Sequence, residues 1–243
     1  MLCLGAALLA ILMGCALWTR PAGVTVRGEG AETIVVLHGL RRTSRAMDKL
    51  AAALAGDGRT VVNCNYPSHT ASIAELAEQV HADIAPFVAR APIVHFVTHS
   101  MGGIVLRHML REHPLPNMGR VVMLAPPNRG SEVVDALGGW RAYRWINGPA
   151  GSELGTSTNS TPNRLGPPAY PVGVIAGNRS LNPFFSWLIP GPDDGKVGVD
   201  RARLEGMAGF ILLPVTHTWM MRNPRVIEQT RYFLENGAFL KVP

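Results

Sequence analysis

Ser100 stands at the end of a strongly apolar run and directly before a predicted helix. A serine hydroxyl is a good nucleophile only when it is held clear of the backbone beside a base, and a tight strand-to-helix turn can hold it in that way. Gly102 leaves room for such a turn, and Gly103 lets the helix pack closely. Thr98 stands where the G-x-S-x-G pattern has glycine, so it must fit beside the next strand. These residues predict a nucleophilic serine.

His217 is the candidate for the base that such a serine needs. It is the only one of 8 histidines beyond residue 113, and it follows a predicted strand and Pro214 in a loop. His38 and His99 flank glycine-rich turns and are expected to stabilise those loops. His95 and His99 are four residues apart, but they lie on a strand and a turn rather than on the helix that a zinc pair requires. No metal site is therefore predicted.

The segment from Thr98 to Gly103 resembles the nucleophile elbow of the α/β-hydrolases, particularly the bacterial lipases and esterases. The helix that begins after Ser100 directs its dipole and the N–H of Met101 at negative charge developing on a bound carbonyl. Residues 38–40 follow the first core strand, where this family places a second N–H donor. The resemblance thus implies an oxyanion hole formed by the N–H groups of Leu40 and Met101.

The resemblance covers about residues 32–236 and implies the fold class of the family. This class is α/β, with a mostly parallel central sheet, helices on both faces and an irregular lid or cap insertion. Residues 126–131 are similar to the lipase segment that begins the lid or cap. We therefore predict a single domain over residues 21–243, with the insertion at about 131–171.

Asp194 is the preferred candidate for the acid that orients His217 and stabilises its imidazolium. Residues 194–197 resemble the Asp-Gly-x-Val acid turn of the family. Asp193 is adjacent and would point the opposite way in an extended segment, so it remains an alternative, and Asp200 is a third. Such an acidic cluster is also compatible with an ordinary solvated turn.

The predicted elements alternate between short β-rich runs and longer stretches with helical spacing. Ser72 and Glu75 suit the start of the second helix. Such alternation predicts functional groups at the carboxyl ends of parallel strands. Strands are predicted at 34–37, 60–63, 93–97, 121–124, 172–176 and 210–213, and helices at 47–54, 73–88, 104–110 and 226–234.

Two stretches, residues 138–171 and 178–192, lack periodicity and are longer than simple connections need. Their aromatic residues could form an acyl-binding cover or a membrane-facing rim, although they are equally compatible with a plain core. The candidates for substrate binding are Trp140, Trp145, Phe184, Phe185 and Trp187.

Residues 1–20 are predicted to be a signal or a membrane anchor. The uncharged run 2–18 would span roughly 25 Å as a helix, slightly less than a hydrocarbon core. Residues 12–15 resemble the lipobox of bacterial lipoproteins, in which Cys15 would be lipidated. Arg20 and Arg27 follow the run and favour a cytoplasmic domain, against export. We expect membrane association through this segment, or export to the cell envelope, and the side of the membrane stays open.

Composition excludes several classes of protein. The 243 residues are 47% hydrophobic and 16% charged, unlike disordered, collagen-like or coiled-coil chains. Three cysteines, two of them in the apolar N-terminus, exclude a disulfide scaffold. The net charge of +6 is spread along the chain, so no nucleic-acid partner is predicted.

The residues together predict a serine hydrolase that cleaves small-molecule or lipid esters through an acyl-enzyme on Ser100 and needs no cofactor. Acyl transfer, or hydrolysis of thioesters or amides, would use the same groups. A catalytically silent binding module with the same fold is an alternative of another class. Arg41, Arg42 and Arg45 could attract an anionic head group or form a solvated charged face. The oligomeric state stays open.

Overall fold

Seven strands form one sheet in the computed structural model, which describes residues 23–56 and 58–241. The strands are β1 (Gly23–Arg27), β2 (Glu32–Leu37), β3 (Thr60–Asn65), β4 (Ile93–His99), β5 (Met118–Leu124), β6 (Val172–Gly177) and β7 (Gly209–Leu213). Their spatial order is β1-β3-β2-β4-β5-β6-β7. β1 pairs antiparallel with β3, and the other neighbours pair parallel. The predicted α/β fold class is confirmed.

Helices cover both faces of this sheet. The helices are α1 (Asp48–Ala55), α2 (Ile73–Val88), α3 (Met101–Glu112), α4 (Glu132–Leu137), α5 (Arg141–Ser152), α6 (Thr161–Arg164), α7 (Pro183–Leu188), α8 (Val199–Ala202) and α9 (Pro224–Asn236). Side chains alternate along β2, so that Val35 and Leu37 pack with α2 and α3, whereas Ile34 and Val36 pack with α1 and α9. Two separate hydrophobic clusters result, one on each face.

The helix over residues 73–88 begins as the sequence predicts. The Ser72 hydroxyl accepts a hydrogen bond from the N–H of Glu75, and the Glu75 carboxylate accepts one from the N–H of Ser72. This reciprocal capping satisfies two N–H groups that the helix itself cannot pair. The helix then buries the apolar stripe that predicted it, including Leu76, Val80 and Ile84.

The structure corrects the sequence analysis in three regions. β1 was not predicted, and it lies at the antiparallel edge of the sheet. Residues 138–171 were expected to be irregular but contain α5, which is kinked at Gly148 (φ 66°) before Pro149. Adjacent glycine and proline are typical of a turn or loop, which explains why the sequence pattern did not reveal this helix. Residues 178–192 likewise contain α7.

The carboxyl ends of the central strands meet along one edge of the sheet. Leu37 lies opposite Thr98, and His99 lies opposite Leu124. The loops after β2, β4, β6 and β7 therefore lie close together, as expected for functional groups in such a sheet. Residues 1–20, predicted to be a signal or anchor, lie outside the described residues. No helix within 23–56 and 58–241 is long and apolar enough to cross a bilayer.

Candidate active site

Ser100 occupies a sharp turn between β4 and α3. Its backbone has φ 54° and ψ −128°, in a region that non-glycine residues rarely adopt. The Ser100 N–H donates to the carbonyl of Leu124 at 2.8 Å, and the Gly103 N–H donates to the carbonyl of Ser100 at 3.0 Å. These bonds hold the strained turn and leave the hydroxyl in the wall of a cavity.

Gly102 allows α3 to lie directly against the loop that follows β2. A Cβ atom at this position would lie 2.6 Å from the carbonyl oxygen of His38 and 2.9 Å from that of Leu37. Both atoms belong to the backbone and cannot move aside independently. The glycine is thus required by contact with the neighbouring loop, in addition to the turn itself.

Thr98, the departure from the family pattern, fits between two strands. It is fully buried and lies opposite Leu37 on β2 and Met123 on β5. A Cβ atom on Gly103 would lie 3.2 Å from the Thr98 hydroxyl oxygen. Because Gly103 has no side chain, the larger residue at position 98 is accommodated without displacing α3.

Three side chains from separate loops form a continuous hydrogen-bonded chain. His217 Nε2 lies 3.0 Å from Ser100 Oγ, and His217 Nδ1 lies 2.8 Å from Asp194 Oδ2. The carboxylate can only accept, so Nδ1 carries the proton and Nε2 accepts from the serine hydroxyl. His217 is 4% exposed and Asp194 is 2% exposed. This arrangement could remove a proton from Ser100 as its oxygen attacks an electrophile.

Of the three candidate acids, Asp194 is the one that reaches His217. Its other oxygen accepts hydrogen bonds from the N–H groups of Lys196 and Val197. Asp193 instead accepts from the Ser186 hydroxyl and from the N–H of Gly195. Asp200 is largely exposed and lies 3.6 Å from Arg203. The two alternatives therefore point away from the imidazole.

His99 holds the loop that carries His217. Its Nε2–H donates to the backbone carbonyl of His217 at 3.0 Å. Burial holds the pKa of His99 well below its ordinary value, and a proton on the His217 ring or the charge of Arg42 lowers it further. His99 is therefore neutral at physiological pH, and a second charge beside His217 is avoided.

His38 and Tyr66 fix the loop that contains Leu40. His38 Nδ1–H donates to the Gly39 carbonyl at 2.9 Å, and His38 Nε2 accepts from the N–H of Tyr66 at 3.3 Å. The Tyr66 hydroxyl donates to the His38 carbonyl, and the two rings stack at 4.3 Å. Burial lowers the pKa of His38 to about 4. Tyr66 was not predicted, although its place after β3 could have indicated it.

The N–H groups of Leu40 and Met101 belong to the loop after β2 and to the first residue of α3. Among the residues that the structure describes, neither group donates a hydrogen bond to the protein. The adjacent groups are engaged, since the Arg41 N–H donates to Ser68 Oγ and the Arg42 N–H donates to the Gly39 carbonyl. Neither of the two groups is therefore committed to a contact within the described part of the protein.

A cavity of about 260 Å³ opens in front of Ser100. Of the five aromatic residues predicted to bind substrate, Phe185 lines it and the others do not. Their exposed fractions are 53% for Trp140, 80% for Trp145, 38% for Phe184 and 80% for Trp187. The cavity is closed by side chains that were not predicted as site residues, including Tyr143, Leu154 and Leu181.

Helical geometry explains this correction. Tyr143, Ile146 and Ala150 form the buried stripe of α5, with spacings of three and four residues. Trp145 is two residues from Tyr143, so its side chain lies on the opposite side of the helix. The i, i+3 spacing of Tyr143 and Ile146 is the signal that could have identified the inward face.

One group of side chains in the described residues could hold a metal ion, and it lies outside this cavity. The ligand atoms of Glu78, His81 and His113 lie within 4.8 Å of one another. His113 Nε2 lies 2.8 Å from the Glu78 carboxylate, and the two imidazole rings stack at 3.9 Å. These contacts join α2 to the end of α3 and contribute nothing to the reaction centre.

Comparisons with known proteins find both a related sequence and similar structures. A lysosomal thioesterase of Xenopus laevis is 27% identical over 104 residues, which are 40% of this chain and 36% of that protein. The chain thus matches about a third of the length of this curated relative. Among solved structures, the mature lipase of Bacillus licheniformis superposes with a TM-score of 0.65 at 19% identity, covering 88% of this chain and 96% of that one. A phospholipase of Legionella pneumophila gives 0.62 at 17% identity, covering 79% and 55%.

Because their sequence identities are only 19% and 17%, these two structural neighbours show a shared fold and nothing more. The sequence model of the alpha/beta hydrolase family matches residues 34–235, from the second strand of the sheet to the end of the last helix. The match includes the serine turn, the acid turn and the histidine loop. The chain therefore belongs to the alpha/beta hydrolase family.

Proposed function

We propose that this protein is a serine hydrolase that cleaves carboxylic esters through an acyl-enzyme on Ser100. The observation that carries the proposal is the hydrogen-bonded chain from Ser100 Oγ through His217 to Asp194, with distances of 3.0 and 2.8 Å. A side-chain hydroxyl paired with a buried imidazole and carboxylate at the wall of a cavity is the arrangement that acyl transfer requires.

In the first half of the reaction, Ser100 Oγ attacks the carbonyl carbon of the ester while its proton passes to His217 Nε2. The carbonyl oxygen becomes an oxyanion, which the N–H groups of Leu40 and Met101 stabilise. Asp194 stabilises the imidazolium. When the bond to the leaving oxygen breaks, His217 returns the proton to the departing alcohol, and the acyl group remains on Ser100.

In the second half, water attacks the acyl carbon and gives a proton to His217 Nε2. The tetrahedral intermediate collapses, Ser100 Oγ recovers the proton, and the carboxylic acid leaves. Every proton is carried by His217, so each step uses the contacts already present around that residue. The role of His99 is to hold the backbone of His217 while the His217 ring gains and loses a proton.

The walls of the cavity support an ester with an apolar acyl chain. Leu40, Val134, Leu154 and Phe185 line it together with Tyr143. The lipase and phospholipase among the structural neighbours act on lipid esters by name, which favours the same substrate class here. A panel of esters of increasing acyl length tests this. Faster cleavage of acetyl than of decanoyl esters would contradict the lipid assignment and leave the mechanism intact.

Membrane association through residues 1–20 is part of the same proposal. Fractionation of the full chain against a chain that begins at Pro21 tests it, with the full chain expected at the membrane. If both chains are fully soluble, the anchor does not exist. A lipobox function predicts in addition that Cys15→Ser removes lipid labelling.

Thioester hydrolysis is the second candidate, and the match to a thioesterase over 104 residues is the observation that favours it. An oxygen ester and a thioester with the same acyl chain distinguish the two activities. We expect the larger kcat/KM with the oxygen ester. Product analysis with an added alcohol distinguishes hydrolysis from transfer, since transfer yields a new ester in place of the acid.

Labelling with a fluorophosphonate tests the enzyme itself. We expect covalent labelling of the wild type and its loss in Ser100→Ala and in His217→Ala. Ser131 also lines the cavity, and its hydroxyl donates to the Lys196 carbonyl, so Ser131→Ala is a matched control that keeps the label. An unlabelled wild type, or equal labelling of Ser100→Ala, would favour a silent binding module.

A further inference from the structure

The cavity in front of Ser100 has more cationic than acidic side chains in its lining. Arg41, Arg42 and Lys196 are among its lining residues, and Asp194 is the one acidic side chain there. Both carboxylate oxygens of Asp194 are already hydrogen-bonded, one to His217 and the other to backbone N–H groups. The negative charge of Asp194 is therefore already hydrogen-bonded within the site. The rest of the lining carries more positive than negative charge.

The two arginines differ in how they are held. The Arg41 guanidinium donates to the carbonyl of Ile146 on α5 at 2.8 Å, so it is directed toward that helix. Arg42 is partly buried, and no residue in 23–56 or 58–241 forms a hydrogen bond or ion pair with its guanidinium. Arg42 can therefore bind a ligand in the cavity without breaking a contact within the protein.

Positive charge in the cavity lining acts on a residue beside Ser100. Arg42 and Lys196 both contribute to the low pKa of His99, which adjoins Ser100 and lines the same cavity. A guanidinium presents a planar set of donors that fits phosphate or carboxylate oxygens, and an ammonium adds a point charge. A neutral ester would leave the Arg42 guanidinium without a counter-charge when it displaces water from the cavity.

We propose that the cavity selects esters that carry an anionic group, a phosphate or a carboxylate, near the scissile carbonyl, and that Arg42 binds this group. The proposal rests on the ester hydrolysis proposed above and names its substrate class. Apolar residues of the same lining would hold the acyl chain. A phosphorylated monoacylglycerol combines both features.

A different role for the cations would be general stabilisation of the oxyanion, which would affect neutral and anionic esters alike. The ratio of kcat/KM for 1-decanoylglycerol 3-phosphate to that for 1-decanoylglycerol separates the two roles, measured at monomeric concentrations of both substrates. We expect the wild type to prefer the phosphate by about tenfold and Arg42→Gln to lose most of this preference. An unchanged ratio in Arg42→Gln overturns the proposal.

Arg45 provides a matched control in the same loop. It is exposed, is absent from the cavity lining and loses the same charge when replaced by glutamine. We expect Arg45→Gln to keep the wild-type ratio within about twofold, because exposed charges are screened by solvent. An equal loss of preference in both variants would mean that overall charge, rather than a binding site, produces the effect, and would overturn the proposal.

Inhibition distinguishes a bound head group from a free anion. Decyl phosphate has the anionic group and the chain but no scissile carbonyl, and we expect it to compete with substrate in the wild type and about tenfold less well in Arg42→Gln. Inhibition by inorganic phosphate at the same concentrations would assign the site to the free ion and overturn the substrate assignment. If fluorophosphonate labels Ser100 but neutral and anionic esters react equally, only this inference fails. If nothing labels Ser100, the proposed function fails with it.

Discussion

The serine turn and the α5 helix each contain a glycine that lies close to a backbone carbonyl oxygen. The two regions differ in how far their residues are exposed to solvent. At the turn, Gly102 approaches the His38 carbonyl so closely that a Cβ atom would lie 2.6 Å away. On α5, a Cβ atom at Gly148 would lie 1.6 Å from the His69 carbonyl. The residues next to Ser100 in the chain, His99, Met101 and Gly102, are buried, whereas α5 exposes Trp145 to solvent.

The reacting groups and the cover over the cavity are therefore held in place by different contacts. Hydrogen bonds to the backbone hold the serine turn, the acid turn and the His217 loop. The cover over the cavity is fixed through one face of α5 and through the bond from Arg41 to Ile146. Changes at the turn should therefore affect every substrate, and changes on the outer face of α5 should affect only large or lipid-like ones.

The largest expected effect comes from the carboxylate that orients His217. In Asp194→Asn the amide can present an N–H to Nδ1, which favours the wrong imidazole tautomer, so kcat should fall by about 10⁴. Initial rates with a soluble short-chain ester measure this change. Asp193→Asn is the matched control, because Asp193 bonds Ser186 and Gly195 instead. A larger loss in that control than in Asp194→Asn would reverse the assignment of the acid.

The next effect tests the close approach at Gly102. Gly102→Ala forces α3 away from the loop that carries Leu40, and the loss of one oxyanion donor should lower kcat about 100-fold for all esters. Gly139 has no atom within 4 Å of a potential Cβ, so Gly139→Ala should change the rate by less than about twofold. Near-wild-type activity in Gly102→Ala would show that the turn tolerates the displacement.

The third prediction concerns the pH dependence of stability. The pKa of His38 is about 4 in the folded protein and about 6.5 when exposed, so the unfolded chain takes up the proton first as the pH falls. The free energy of unfolding should decrease between about pH 6.5 and pH 4, by up to about 3 kcal/mol from this group. His99, whose pKa is also lowered, adds a loss of the same sign.

Urea unfolding at a series of pH values measures this decrease. His38→Gln removes the titrating group and should give a shallower dependence on pH, even if its stability at neutral pH is lower. If the variant and the wild type lose stability in parallel, the buried imidazole is not responsible.

The smallest effect is expected on the outer faces of α5 and α7. Trp145 and Trp187 are each 80% exposed, so replacing either by alanine should change stability by less than about 0.5 kcal/mol and leave short-ester kinetics unaltered. Binding to phospholipid vesicles should weaken severalfold, because exposed tryptophans are suited to membrane interfaces. Unchanged vesicle binding in the double variant would exclude a membrane-facing role for this surface.

The fold and the nucleophile were predictable because their signals are local. The α2 stripe from Ile73 to Val88, its capping box and the glycines after Ser100 all lie within a few residues of the structures they specify. The antiparallel β1 gave no such signal. Its position at the sheet edge depends on pairing with β3, which lies more than thirty residues further along the chain.

The sequence by itself determined which reactive residues are present. They are a serine at a strand-to-helix turn, a histidine in a loop near the C-terminus and two adjacent aspartates between them in the chain. Only the tertiary structure decided which aspartate meets the imidazole, because the sequence favoured Asp194 through its Asp-Gly-x-Val turn but left Asp193 open. Asp193 forms an isolated bridge with Gly198, and the turn thus closed directs Asp194 toward His217. The tertiary structure also decided which face of α5 closes the cavity, since helix orientation depends on packing against residues distant in the sequence.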